Sequence, residues 1–525
     1  MDGVQLLLII GAGIAISAVA KKRNVEPGMI IVVLAAAASF IPGVPRLELE
    51  SEFILAVVVP PLLYSASRGA SVSAFGANMR AIITLGVLLV LLTSGLLGLV
   101  AGWILPSLGA AAWVLGAVLA PPDTITTVSH GDEIGLPKRV TSILTGESLV
   151  NDATALTLFA IALDAVNGER TTWVHGGVEL LRNAFVGLAI GGVFAVLTLW
   201  IRKRLGNPTL ETTLVLLLPF TAYLVAEEVH ASGILAVVIA AFSVSVNLTL
   251  DPRHQYPGAY RTRLQEEAFW PVLDFLLETF VFAYIGLQLK FVLQDLIDAK
   301  ELTRTLVATG VLLVVAIVFR LVAVYLLFGR WNLSFWMIKR RAERDDAFRA
   351  EYEKRQQRRQ KRRRGGQPLD PPTQKETLLV GWVGMRGILT LAAAGSIPEN
   401  VPGREAILAI ALFVTLGTLL IQGTTVGWLT RRLRFDLTAE RAEEEQMREH
   451  GRQLMAGAMA NRDPDRDKVF DAQRHALGEA VANRTLTEEI ARALIQDIDL
   501  RQAALHTMPP RPAGPLGPPG GGERP

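Results

Sequence analysis

The stretch from Gly146 to Leu158, GESLVNDATALTL, sets Glu147, Asn151 and Asp152 inside an otherwise apolar run. At bilayer depth an ionised carboxylate costs roughly 2.5 kcal/mol or more unless something compensates it, so each of these groups needs a partner or a task. Helical spacing puts Ser148 and Asp152 one turn apart, and Glu147 and Asn151 one turn apart, on adjacent stripes. Glu147 and Asp152 are then well separated around the helix, which gives them separate jobs. Asp152 reads as a carboxylate facing a cavity, able to bind a proton or a hard cation, and Glu147 as a fixed structural charge.

A second carboxylate follows two prolines in APPDTITT, Ala120 to Thr127. Proline inside a helix removes a backbone donor and clashes with the preceding turn, so carbonyls around residues 117–122 are expected to be freed. In a membrane such backbone is tolerated only where it is buried in protein or lines a watered cavity. Two readings stay open. Asp123 and the Pro122 region offer oxygen ligands to a monovalent cation, with Thr124 beside them; or Asp123 caps a half-helix after a structural kink, while Thr124, Thr126 and Thr127 satisfy local backbone.

Two guanidinium groups lie at comparable depth, Arg320 in one apolar run and Arg386 in GWVGMRGI, Gly381 to Ile388. A guanidinium cannot lose its charge and must be paired or capped. The expected assignment pairs Arg320 with Glu147 and gives Arg386 the carbonyl ends of an interrupted helix; the exchanged assignment fits the same positions. Asp274 and Glu278, one turn apart in FWPVLDFLLETFVFAYIG, either line an ion path or hydrogen-bond the bundle.

The elements that must hold these residues follow from composition. The 525 residues are 51% hydrophobic, and the 52 Lys and Arg and 49 Asp and Glu gather in a basic loop, a C-terminal tail and short connectors. Apolar runs of the roughly 17–25 residues needed to cross a hydrocarbon core recur through the rest. The fold class is therefore an all-α polytopic membrane protein of about 13 transmembrane helices, at 4–20, 29–42, 51–64, 80–105, 111–130, 140–166, 180–201, 210–226, 232–250, 268–289, 305–328, 377–398 and 403–430. The first run lacks a basic n-region and a small-residue cleavage site, so it reads as a retained span. Lys and Arg concentrate in alternate connectors, among them Lys21, Lys22 and Arg23, then Lys138 and Arg139, then Arg202, Lys203 and Arg204. Cytoplasmic loops attract these residues, which puts the N-terminus outside and the tail inside.

Spans 1–6 and 8–13 pair as two inverted six-helix repeats, with span n matching span n+7. The interruptions fall in spans 5 and 12, and transporters built this way keep their substrate at the repeat interface on discontinuous helices. The expected division is a transmembrane unit over 1–435, carrying a basic cytosolic loop at 339–376, then a cytosolic helical tail at 436–507 and a disordered Pro/Gly-rich end at 508–525. The loop lacks interleaved aromatics and is tethered at a membrane, so it suits anionic lipid and not nucleic acid. The tail reads either as a regulatory or dimer-associated element or as a solvated appendage. Cys is absent, which excludes disulfides and thiolate metal sites.

GESLVNDATALTL, VLGAVLAPPDTITTV, VFAYIGLQL and GWVGMRGILTLAAA together resemble the NhaP-like sodium/proton exchangers of the monovalent cation:proton antiporter family, in order from about residue 50 to 430. The resemblance implies a homodimer with an interface domain and a six-helix core domain that moves as an elevator. It implies Na⁺ and proton binding at Asp152, with Asn151 beside it and Asp123 and Ser148 completing the site, and it maps the family's ion pair onto Glu147 and Arg320. Two departures stand out: Pro122 precedes Asp123 and Thr124 follows it where many relatives have Thr and then Pro, and PPLLYSAS offers Ser65 where some relatives carry a glutamate.

The expected activity is exchange of Na⁺ or Li⁺ for H⁺ by alternating access across the plasma membrane, serving pH and sodium homeostasis. It needs only competition of a proton and a dehydrated cation for one carboxylate, since desolvation penalises the charged form. No cofactor and no enzymatic step are required, and no P-loop of the GxxxxGK[ST] kind is present. With Asn151 neutral, one proton per cation and electroneutral exchange are expected. A K⁺/H⁺ antiporter on the same fold is the alternative, a cation channel a more distant one. An intramembrane aspartyl protease needs a GxGD context, and the contexts here are PPD and VND.

Overall fold

The computed structural model describes residues 3–23, 27–42, 44, 54–124, 131–168, 173–250, 258–298, 301–344, 371–459 and 466–507. Thr126, Thr127, most of the basic loop and the Pro/Gly-rich end lie outside these. Among the described residues all regular structure is helical apart from one isolated bridge, between Asp123 and Met385.

Three apolar helices open the chain: α1 (Gly3–Arg23), α2 (Pro27–Ser39) and α3 (Ile54–Gly69). Then come α4 (Ser73–Ile104), α5 (Ala111–Leu119), α6 (Lys138–Val166), α7 (Trp173–Leu205), α8 (Pro208–Glu228) and α9 (Gly233–Leu250). The membrane part closes with α10 (Ala259–Ile297), α11 (Leu302–Arg344), a helix broken into α12a (Gln374–Trp382) and α12b (Ile388–Gly395), and α13 (Arg404–Leu433). Seven of the described helices are long and apolar enough to cross a membrane alone. Four shorter apolar helices and the two interrupted segments occupy the remaining apolar runs of the sequence.

These helices sort into two bundles. In the first, α2 packs on α10, α7 and α8 on α9, and α9 on α3. In the second, α4 and α6 pack on α5, and α11 packs on α12a and α13. Lipid tails are as apolar as leucine, so close backbone approach and not hydrophobicity favours such pairing. Gly116 shows this in α5, where a Cβ would fall 2.4 Å from the Ser94 carbonyl oxygen of α4. Between the bundles runs an apolar seam in which Val59 and Leu63 of α3 and Val237 of α9 meet Leu149 and Ala153 of α6 and Leu389 of α12b.

The tail is three helices, α14 (Thr438–Met459), α15 (Arg466–Ala482) and α16 (Glu488–Thr507). Their apolar stripes close on one another through Met455, Leu477, Ile495 and Ile498, and Leu250 at the end of α9 joins the same cluster. Burying side chains of this size gives roughly 1.5–3 kcal/mol each in water, so the tail is a packed unit seated on the first bundle. It is not a solvated appendage.

Candidate ion-binding site

α6 begins directly after Pro137, whose extended backbone is suited to the residue before a first turn, and runs 29 residues without interruption. That continuity fixes the angular spread of its polar groups. Glu147, wholly buried, meets Arg320 of α11: Nη1 donates to Oε1 at 2.7 Å and Nη2 to Oε2 at 3.0 Å. Arg320 Nη2 also donates to the Val380 carbonyl of α12a, at 3.1 Å. The fork geometry of the guanidinium thus satisfies a carboxylate and a helix end together.

Asn151, one turn on from Glu147 along the same stripe, donates through Nδ2 to the Pro122 carbonyl at 2.7 Å, which ties α6 to the interruption after α5. Thr124 makes a second tie, its hydroxyl donating to the Leu144 carbonyl at 2.9 Å. The two interruptions cross each other: the Asp123 N–H donates to the Met385 carbonyl at 2.6 Å. Gly387 is required at this crossing, since a Cβ there would fall 1.8 Å from Asp123 Oδ2. The Asp123 carboxylate therefore lies at the N-terminal end of α12b, where the helix dipole favours negative charge.

The opposite ends are held by Arg386, 2% exposed. Its Nε donates to the Leu119 carbonyl at the end of α5 and its Nη1 to the Gly384 carbonyl, each at 2.6 Å. α13 contributes two further caps near its π turn, Leu419–Gly423. Thr418 Oγ1 accepts from the Arg386 N–H at 2.9 Å, and Gln422 Nε2 donates to the Trp382 carbonyl at 2.8 Å.

Asp152 is 8% exposed, and among the described residues no hydrogen bond reaches its carboxylate. It opens with Asp123, Glu278 and Thr390 on a cavity of about 60 Å³ whose other walls include Leu62, Leu63, Phe282 and Ile388. That is room for about two waters or a partly hydrated ion. Leu62 and Glu278 also border a vestibule of about 550 Å³ lined by Ser65, Ser148, Asp274 and Lys138 and, from the tail, Glu444, Arg448 and Glu489. Ser65 donates to Asp274 Oδ2 at 2.5 Å, and the buried Asp274 Oδ1 has no partner.

The family profile described as "Sodium/hydrogen exchanger, transmembrane" matches residues 4–432. The chain belongs to the sodium/hydrogen exchanger family. Its relatives include the Na(+)/H(+) antiporter NhaG of Bacillus atrophaeus, 27% identical over 81% of this chain and 74% of that one. The exchanger is also 28% identical to the sodium, potassium, lithium and rubidium/H(+) antiporter of Bacillus subtilis, over 82% of this chain and 62% of that one. Among solved structures the sodium proton antiporter MjNhaP1 of Methanocaldococcus jannaschii, at pH 8, shares the fold with a TM-score of 0.57 and 16% identity, over 82% of this chain and 97% of that one. The exchanger is a transporter and not an enzyme, and the all-helical membrane fold inferred from its sequence is the fold of that antiporter.

The exchanger brings Asp123, Asp152 and Glu278 to one cavity, and Ser148 and Asp274 to the vestibule. Pro122, Thr124 and Asn151 do not line the small cavity; their polar groups link α6 to the interruption. Ser148 Oγ and Asn151 Oδ1 are buried without a partner among the described residues, and an unpaired buried polar atom costs about 1–3 kcal/mol. Thr390, Thr418, Gln422 and the Ser65–Asp274 contact escaped sequence reasoning. Thr390 carried one usable signal, as the single polar residue of the ILTLAAA run that follows the second interruption.

Proposed function

We propose that the protein exchanges Na⁺ or Li⁺ for H⁺ across the plasma membrane, one for one, with Asp152 as the carboxylate for which cation and proton compete. The observation that carries this reading is the contrast between two carboxylates on one helix. Glu147 is paired with Arg320 through two hydrogen bonds, while among the described residues no hydrogen bond reaches Asp152 on the wall of a cavity.

In this mechanism Asp123, charged at the N-terminus of α12b, supplies a fixed field that favours a cation beside Asp152. Protonation of Asp152 removes the charge that holds the cation, so each ligand displaces the other, and no third ligand or energy source is needed. Asn151 contributes no second titrating group, which keeps the exchange electroneutral. The vestibule, with Ser148, Asp274 and Glu278 on its walls, is the cytosolic approach, and the second bundle moves against the first to expose the site alternately. The working form is a homodimer with its N-terminus outside and its tail in the cytosol. K⁺ as the cargo is the second reading, favoured by the Bacillus subtilis relative whose name includes potassium.

The test uses proteoliposomes with a trapped pH dye, wild type against Asp152→Asn, with Na⁺, Li⁺ or K⁺ added outside. Alkalinisation of an acid-loaded lumen by Na⁺ or Li⁺, reduced to the protein-free rate in the variant, is the expected result. A response to K⁺ alone selects the second reading. No cation-driven proton movement by the wild type at any pH overturns both.

A further inference from the structure

We propose that the Thr390 hydroxyl is a ligand of the transported cation, adding a neutral oxygen to the carboxylates of Asp152 and Asp123. The inference rests on the exchange reading above and goes beyond it in naming a residue on the opposite half of the fold. The polar side chains of the small cavity are Asp123, Asp152, Glu278 and Thr390. Thr390 is 1% exposed, and its Oγ1 is buried with no hydrogen-bond partner among the described residues.

A threonine inside a helix ordinarily donates to the carbonyl four residues back. Thr145, Thr154 and Thr157 of α6 do so at 2.9, 3.0 and 2.9 Å. Thr390 is the third residue of α12b, so four residues back is Arg386, inside the interruption and outside any helix. The break that frees backbone for the crossing also frees this hydroxyl. Thr390 shares the wall of this cavity of about 60 Å³ with Asp152, Asp123 and Glu278. Hard monovalent cations take oxygen ligands, and the number and kind of those ligands set which cation is preferred.

Thermal unfolding of the purified full chain with and without NaCl, against equal choline chloride, tests this in wild type, Asp152→Asn, Thr390→Val and Thr390→Ser. The expected result is Na⁺ stabilisation in wild type and Thr390→Ser, and its loss in Asp152→Asn and Thr390→Val. In vesicles Thr390→Val should raise the KM for Na⁺ at least tenfold with kcat within twofold, and Thr390→Ser should restore it. Retained stabilisation and KM in Thr390→Val, with both lost in Asp152→Asn, overturn the Thr390 ligand and leave the exchange reading standing. Stabilisation unchanged in all variants overturns both. Should Thr390→Val fail to fold, Thr390→Ala decides: an unchanged KM for Na⁺ overturns the ligand, and a KM raised at least tenfold supports it.

A separate observation carries a second proposal. The tail grips both bundles across the vestibule mouth. On the second bundle, Glu440 accepts from the Lys138 N–H at 3.0 Å, and Lys138 Nζ lies 3.1 Å from Glu444 and 3.3 Å from Glu489. On the first, Arg263 of α10 donates twice to Asp499, at 2.6 and 2.8 Å, and Arg492 Nη1 donates to the carbonyls of Arg68 and Gly69 at the end of α3, at 3.0 and 3.2 Å. α14 follows α13 with only Arg434 to Leu437 between them, so the tail is covalently joined to one bundle and hydrogen-bonded to the other. We infer that the tail is a brake on the relative movement of the bundles, a reading that also rests on alternating access. Releasing its hold on the first bundle with Arg263→Ala and Arg492→Ala should raise kcat for Na⁺/H⁺ exchange at least threefold with KM unchanged. Hydrogen exchange in α16 should rise in the same variant. An unchanged or lower kcat, in protein that keeps its Na⁺-dependent thermal stabilisation, overturns the brake. If that variant loses the stabilisation, Lys138→Gln replaces it under the same criterion.

Discussion

Arg320 meets Glu147 through two parallel hydrogen bonds, 2.7 and 3.0 Å long, with both side chains almost fully enclosed. Removing one member leaves the other charge buried and alone, which costs about 3–5 kcal/mol. Glu147→Gln and Arg320→Gln are each expected to lower the unfolding temperature of the purified protein strongly. The double variant should lose less than the sum, because it leaves no orphan charge. Additive losses would show that the pair is not coupled.

Replacing Asn151 by a titrating side chain carries a structural cost. Its amide donates to the Pro122 carbonyl at 2.7 Å, and an aspartate there would set a carboxylate oxygen against that carbonyl. Asn151→Asp should destabilise by roughly 1–3 kcal/mol. Wild-type exchange should not respond to an imposed membrane potential; a rate that tracks the potential would contradict one-for-one exchange.

Gly387 permits the contact between the crossing segments. A methyl group there meets Asp123 Oδ2 at 1.8 Å and Asp123 Cβ and Cγ at 2.5 Å, so it can be accommodated only by displacing the Asp123 side chain from its place on the cavity wall. Gly387→Ala should lower kcat/KM for Na⁺ at least tenfold, measured in vesicles, in protein that still inserts and purifies normally.

The competition proposed at Asp152 has a definite sign with pH. Protons occupy the carboxylate as pH falls, so the KM for Na⁺ should rise by up to about tenfold per pH unit once the protonated form predominates, while the rate at saturating Na⁺ on the same side is preserved. Kinetics at several external pH values check this. A falling maximal rate with constant KM would point to a group that controls turnover and not to the shared carboxylate.

Much of this arrangement is legible from residue types, because the membrane leaves few options. Charges such as Glu147 and Arg320 need compensation at that depth, and Pro121 and Pro122 with the glycines around Arg386 cannot continue a regular helix, so the two broken segments announce themselves. The contacts that close the site are less legible. Ser65 and Asp274 are 209 positions apart, and nothing local pairs a serine with an aspartate over such a distance. Thr418 and Gln422 look like ordinary polar residues of an apolar helix until a neighbouring interruption gives them carbonyls and amides to cap. The tail's charged, amphipathic pattern shows that one face is covered, without showing that Leu250 of α9 helps to cover it.

The apolar seam between the bundles has a mechanical meaning. Val59, Leu63 and Val237 press against Leu149, Ala153 and Leu389 through contacts that have no direction. Dispersion between such surfaces needs no donor to face an acceptor. A slide of a few ångströms exchanges one set of neighbours for another of nearly equal worth, whereas a hydrogen-bonded interface would catch at each step. On the alternating-access reading proposed above, the seam is the bearing on which the bundles slide, and a single polar residue introduced into it would act as grit.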